Sequence, residues 1–433
     1  MIVCPEFIAS RTRSRAAVAG FVVLLAFASF AQQPPTPLRP PAAPAAPAPR
    51  LNVGPPAMPE ALALVMQITD KLRQYVLTSE LASVHNQDMA LNMALTGLLK
   101  DSEKIATERR EQFKVEVVQL ARKVSKLHTA ADANDQVGAQ AQLAVVQDAF
   151  TQLKKHFPQE ILKTATLLAD PNCNPATAGR TNGLAALHLA ATATQPTIRA
   201  TVQMTAPLTQ GEPNQAILKL TRTNGAPLLA GELQEVHQAR IHLLVIEPSL
   251  TDYHHVHPQP TAVPGEYAFA FTPRQTGAYR IWADIRPAPM NLQEYALADL
   301  PGLGPASGLN DRASTARGRV DGFEYELTFN TPAIKAGVVA LGRLRVTGPD
   351  GRGFEHLESL MGAYAHLVGF HEDYQTVLHL HPRGAPAPGS NARGGPELEF
   401  QLFAIKPGFY RLFAQVQIGG ISRFAPFGIQ VVP

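Results

Sequence analysis

Cysteine is nearly missing from this chain of 433 residues, which has only two. Cys4 lies in an N-terminal stretch with the features of an export signal, so Cys173 stands alone afterwards and no internal disulfide is possible. Cys173 reads as a buried thiol, a site of intermolecular pairing or an accessory metal ligand. Charge is scarce too, at 17% of residues with a formal net charge of +3. Losing Arg11, Arg13, Arg15 and Glu6 with the signal leaves a mature chain close to neutral, which gives no electrostatic case for nucleic acid. The catalytic patterns G-x-S-x-G and H-E-x-x-H, a Gly-rich nucleotide loop and the C-x-x-C-H of covalent haem are all absent, so no enzyme is expected.

The N-terminus reads as a signal peptide over residues 1–31. Three arginines precede an apolar run from Ala16 to Phe30, and small residues end at Ala31. Cleavage is expected after Ala31, giving a periplasmic or secreted protein with no membrane span; retention as an N-terminal anchor is the alternative. Residues 32–57 are dense in Pro and Ala and read as an extended linker.

From 58 to 158 the apolar residues take helical spacing. They are Leu62, Met66, Ile68 and Leu72, then Met89, Met93, Leu95 and Leu98. Phe113, Val117, Leu120, Val124 and Leu127 make a third set, and Ala141, Val145, Phe150 and Leu153 a fourth. With a turn at Ala133-Asn134-Asp135 and a stop at Pro158, this predicts an up-and-down four-helix bundle. Its pattern resembles periplasmic b-type and c′-type cytochromes and the small helical domains beside heavy-metal resistance proteins. Haem is not expected, because Thr151 or Gln152 stands where a b-type cytochrome has its axial histidine. His85 and His128 read either as a metal pair at the bundle ends or as solvent-facing or capping residues. Met89 and Met93 read as core filler rather than soft ligands. Residues 159–197 read as a connector.

Histidine is what the chain has in concentration. Ten of its fourteen histidines fall between His237 and His381. HLLVIEPSLTDYHHVHP, from His242, is echoed by HLVGFHEDYQTVLHLHP, from His366; both have the form H-x12-H-x-H-P. Each copy later has Gly-x-Tyr-Arg, at Gly277, Tyr279 and Arg280 and at Gly408, Tyr410 and Arg411, where the tyrosines could make a corner contact. An internal repeat of about a hundred residues follows. In both copies β-formers alternate in short runs, predicting strands at 200–204, 216–221, 240–247, 253–257, 266–272, 278–285 and 294–300. The second copy offers 324–329, 338–346, 364–371, 376–381, 397–403, 409–416 and 422–431. Seven strands per copy predict two immunoglobulin-like or cupredoxin-like antiparallel β-sandwiches, 198–301 and 319–433, joined by a linker at 302–318. The whole is a multidomain α + β chain.

In a hairpin about Glu247-Pro248-Ser249, His242 opposes His255 or His257, and residues two apart share a face. All three imidazoles of a copy then converge, giving His242, His255 and His257 in one metal site and His366, His379 and His381 in another. Neutral imidazole suits copper or zinc. The competing reading makes these histidines buried hydrogen-bonded core groups of an envelope adaptor or structural protein. His237 and Met361, five residues before the first histidine of each copy, need a bulge to join. His254, His356 and His371 read as surface residues or secondary donors.

With RIHLLVIE, HHVHP and GAYRIWADI in one copy and AYAHLVGF, LHLHP and GFYRLFAQV in the other, residues 198–433 resemble YtkA-like or FixH-like exported β-sandwich domains. That resemblance implies a binding or chaperone module of copper and heavy-metal handling, with envelope metal-transport proteins as possible partners.

Overall fold

Five α-helices precede the first strand in a computed structural model that describes residues 56–84, 87–133, 135–169, 197–305, 307–336, 338–380, 382, 391–404 and 406–433. The expected signal, residues 32–55 of the Pro/Ala-rich stretch, His85, Cys173 and His381 lie outside the described residues. The helices are α1 (Met58–Leu77), α2 (Asp88–Lys100), α3 (Arg110–Asp132), α4 (Gln136–Lys154) and α5 (Gln159–Ala169). Pro59 in the first turn of α1 and Asp135 at the start of α4, accepting from Gly138 N at 2.8 Å, fix two of the starts. Phe113, Val117, Leu120, Val124 and Leu127 of α3 are all buried, as their spacing predicts. The stripe of α4 is instead Ala139, Leu143, Val146, Phe150 and Leu153; Val145 is 41% exposed and Ala141 is exposed as well. Steps of four, three, four and three hold one helical face, and Val145 lies off it. Pro158 does not end the helical region, because α5 follows it at once in residues expected to be a connector.

The first β repeat contains β1 (Ile198–Met204), β2 (Asn214–Arg222), β3 (His242–Ile246), β4 (Tyr253–Val256), β5 (Gln259–Pro260), β6 (Glu266–Phe271), β7 (Tyr279–Ile285) and β8 (Glu294–Leu300). The second contains β9 (Arg317–Val320), β10 (Phe323–Phe329), β11 (Ile334–Lys335), β12 (Val339–Thr347), β13 (Leu357–Glu358), β14 (His366–His371) and β15 (Val377–Leu380). It closes with β16 (Arg393–Gly394), β17 (Glu397–Phe403), β18 (Gly408–Ile418) and β19 (Ile421–Val432). All fourteen predicted strands form within a few residues of their expected ends.

In the first repeat the sheets β1-β2-β6-β5 and β4-β3-β7-β8 share one apolar core, with Leu218, Tyr267, Phe269, Val245 and Ile281 among its members. The second repeat builds its core between β17-β12-β10-β9 and the sheet of β14, β15, β18 and β19. Tyr279 and Tyr410 make the corner contacts. The Tyr279 hydroxyl accepts from Gln275 N at 3.0 Å, and Tyr410 donates to Lys406 O at 3.1 Å.

β3 is buried at every residue, which one core cannot explain for a strand with two faces. Its second face meets the other repeat. Leu244, Ile246, Tyr253 and Trp282 pack against Val368, Phe370 and Phe413, and the Tyr374 hydroxyl donates to Ile246 O at 2.8 Å. Trp282 is 1% exposed, 5.5 Å from the Phe370 ring. Trp282→Ala is expected to cost about 3–5 kcal/mol in denaturant unfolding, the range for emptying a buried aromatic site.

Residues 302–318 are tied down rather than free. Arg411 holds Asp311 at 3.0 Å, Arg312 holds Glu372 at 2.6 Å and Thr315 bridges Gly428. The helices are also anchored, since Leu292 and Met290 of the first repeat join the helical core and Arg122 donates to Pro289 O at 2.9 Å. Among the described residues no helix is long and apolar enough to cross a membrane.

Candidate metal centre

β3 and β4 pair antiparallel with Leu243 opposite Val256 and Leu244 opposite His255. One step further this register sets His257 against His242, the second of the two pairings the sequence allows. Parity then brings three imidazoles to one face. His242 Nδ1 lies 3.3 Å from His255 Nε2 and 3.2 Å from His257 Nε2, and the ligand atoms of the three all fall within 4.8 Å of one another.

The opposite ring nitrogens show which atoms carry the protons. His242 Nε2 donates to Val236 O at 3.0 Å, and His255 Nδ1 to Gln415 Oε1 at 2.8 Å, with the Gln415 amide nitrogen directed to Ser422 Oγ. His242 Nδ1 and His255 Nε2 are therefore lone-pair atoms aimed at each other. Val236 O is placed by a tight turn in which His237 and Gln238 take φ of 49° and 64° between paired Val236 and Ala239.

The second repeat reproduces the device. β14 and β15 set Val368 opposite His379, Met361 and Gly362 form the matching positive-φ turn, and His366 Nε2 donates to Leu360 O at 3.1 Å. The sequence suggests a separate centre in each repeat, but the two histidine faces line the same interface. Ring centroids of His379 lie 5.6 Å from His242 and 5.5 Å from His255, and His366 lies 5.8 Å from His255. His379 Nδ1 is 3.1 Å from Asp284 Oδ2, on β7 opposite His242; Gln415 stands opposite His366 on β18. Each repeat thus lends a polar residue from its late strand to a histidine of the other. Sequence reasoning missed both, although Asp284 and Gln415 occupy the same place in RIWADI and RLFAQV.

His237 reaches the cluster through its turn rather than a bulge, with its ring 6.4 Å from His242 and 6.3 Å from His366. His254 and His371 are not surface residues. Both are buried, His254 beside Asp252 Oδ1 at 2.9 Å and His371 donating to Pro407 O at 3.1 Å, whereas His356 is exposed.

Burial, reinforced by neighbouring histidines, pushes His242 down to about 3 and His257 to about 4, and holds His255 and His366 well below the usual range. His237 is also lowered by burial, to about 4. His242, His255, His257 and His366 are therefore neutral donors at ordinary pH. Burial works to raise Asp284, but its bond to His379 and nearby histidines outweigh that and hold it at about 2.

A second buried ionic group lies between the helices and the first repeat. His128 Nδ1 meets Asp88 at 2.8 Å, its Nε2 meets Asp132 at 3.1 Å, and Arg286 contacts the same ring and Asp132. Burial and Arg286 oppose a charge on His128, yet the two carboxylates prevail and raise it to about 9. His128 is therefore a buried member of an ion network, neither solvent-facing nor capping. A cavity of about 20 Å³, enough for one water, separates this group from the cluster and is lined by Asp132, His237, His242, Asp284, Arg286 and His379.

No curated protein matches the chain. Among solved structures it is similar to FdeC, an Escherichia coli adhesin, at 11% identity over 55% of this chain and 64% of that one, with a TM-score of 0.17. The D00-D0 domain of intimin has 11% identity over 54% of this chain and 100% of that one, with the same TM-score. The chain spans under two thirds of the adhesin's length, and scores this low carry no argument about fold or function. Residues 194–293 and 318–432, one stretch from each β repeat, match the family described as a domain of unknown function (DUF8832).

Proposed function

We propose that this chain is an exported, periplasmic metal-binding protein for copper or zinc, with its histidines gathered between two immunoglobulin-like or cupredoxin-like β-sandwiches. The helices are read as an up-and-down bundle of α1 to α4 extended by α5. Envelope metal-transport proteins are the proposed partners, in line with the resemblance to YtkA-like and FixH-like domains.

One observation carries the reading. His242 Nδ1 and His255 Nε2 point lone pairs at each other across 3.3 Å, each with its proton committed to a partner on the far side of the ring. Two lone pairs repel at that distance, and a cation between them relieves the repulsion for both, whereas a proton on His257 Nε2, 3.2 Å from His242 Nδ1, would satisfy only one. Two nitrogens bound at about 2.0–2.1 Å to a tetrahedral ion are about 3.3 Å apart, so the spacing suits the ion. Partners that fix the tautomer from behind are the usual second shell of a metal-bound histidine.

Titration of chelator-treated protein with Zn²⁺ and Cu²⁺ at neutral pH is expected to show stoichiometric, high-affinity uptake. Uptake no greater than that of a histidine-poor control protein would sink the proposal and favour the adaptor reading, in which the cluster only braces the interface.

A further inference from the structure

We propose that His379 of the second repeat supplies a fourth nitrogen to the centre of His242, His255 and His257, so that a single ion is held by both repeats, with Asp284 as a positioning residue. This rests on the metal reading above. For imidazoles bound at about 2.0–2.1 Å in a tetrahedron, ring centroids lie about 3.2 Å from the ion and therefore about 5.2 Å apart. The observed separations scatter about that value: 5.5 Å for His242 and His255, 4.9 Å for His242 and His257, and 4.8 Å for His255 and His257. His379 stands next to the set at 5.6 Å from His242 and 5.5 Å from His255, outside the group whose ligand atoms lie within 4.8 Å of one another, so its ring closes in when the ion binds. His366 is a poorer fourth member, at 5.8 Å from His255.

The proton on His379 is placed to suit. Its Nδ1 donates to Asp284 Oδ2 at 3.1 Å, which makes Nε2 the acceptor atom of the ring. Asp284 is itself fixed, taking both of its oxygens to Gln293 Nε2 at 2.8 and 2.9 Å. A carboxylate behind a histidine orients the ring and raises its basicity toward a metal. Four imidazole nitrogens drawn around one ion in a tetrahedron would select a d¹⁰ ion, Zn²⁺ or Cu⁺, over Cu²⁺, which prefers tetragonal geometry.

Co²⁺ serves as the probe, since four-coordinate cobalt absorbs visible light far more strongly than six-coordinate cobalt. The metal-free full chain is expected to take up one Co²⁺ with an intense visible band. His379→Ala should weaken binding at least a hundredfold and bleach the band; Asp284→Asn should weaken it about 10–100-fold with the band shifted. If His379→Ala unfolds by circular dichroism, His379→Gln keeps a donor for Asp284 and is judged by the same criteria. A three-histidine site without His379 would instead leave affinity within threefold and the band unchanged, which overturns the inference while the metal reading stands. Two equivalents per chain would overturn it as well, and no uptake by the unsubstituted chain would overturn both.

Discussion

With the proposed single centre, replacing His255 and His257 together by alanine is expected to remove all tightly bound metal, not half of it. Because His366 and His379 line the same interface as the first triplet, a single shared centre is expected to leave no equivalent behind. Structural zinc sites gain about 10–16 kcal/mol on binding, or about 3 kcal/mol per ligand if shared among four. Loss of two ligands then costs about 6 kcal/mol, a drop in affinity on the order of ten-thousandfold. Equilibrium competition against a chromophoric chelator measures this directly. Retention of one stoichiometric equivalent in the double variant would mean that the second repeat binds independently. The same variant tells packing from ligation in metal-free protein, because deleting His255 leaves the buried Gln415 oxygen without its donor. That loss costs about 1–3 kcal/mol and shows as a lower melting temperature with chelator present.

Metal-free protein is expected to unfold in mild acid, well before its carboxylates are exhausted. An unfolded histidine titrates near about 6.5, while burial holds His242 at about 3 in the fold. Between those values the unfolded chain binds a proton that the folded chain refuses, so stability is full above about pH 6.5 and is lost as pH falls toward 3. His242, 5% exposed, alone contributes roughly 4–5 kcal/mol to this loss at the acid end. His255 and His366 are displaced in the same direction by the same burial, and a domain has only about 5–15 kcal/mol to lose. Denaturant melts at pH 7, 6, 5 and 4 should show a steep decline below 6.5, and a flat profile would mean that the imidazoles are solvated. Metal affinity should behave otherwise. Lone pairs kept neutral by burial need not shed protons to bind, so affinity holds below pH 6.5 for as long as the metal-free chain stays folded, where three exposed histidines would already have lost it.

Local periodicity carried most of the architecture. Alternation placed all fourteen main strands because each face of a strand meets a single environment, and the parity of β3 and β4 follows once their histidines share a face, although two registers satisfied it and only the structure chose between them. The stripe on α4 was misread because Val145 and Val146 are equally apolar, and only the neighbouring helices decide which turns inward. The gathering of the first triplet with His366 and His379 was not legible at all. It depends on the outer face of β3 and β7 finding the outer face of β14 and β18, a contact between residues far apart in the chain, such as Asp284 and His379 at 95 positions and His255 and Gln415 at 160. One trace of it was visible: Leu244, Ile246 and Trp282 are too apolar for a surface that would otherwise meet water.

Asp284 and Gln415 hold equivalent places in the two halves, yet one is an anion and the other is neutral. Two identical subunits meeting on a dyad cannot do this, since any residue facing the axis appears twice and the buried centre would hold two carboxylates or none. Fusing the two copies into a single polypeptide lifts that restriction, because each half can then change without its mirror. The result is a core whose fixed negative charge at these two places is one, set by breaking the symmetry that duplication created.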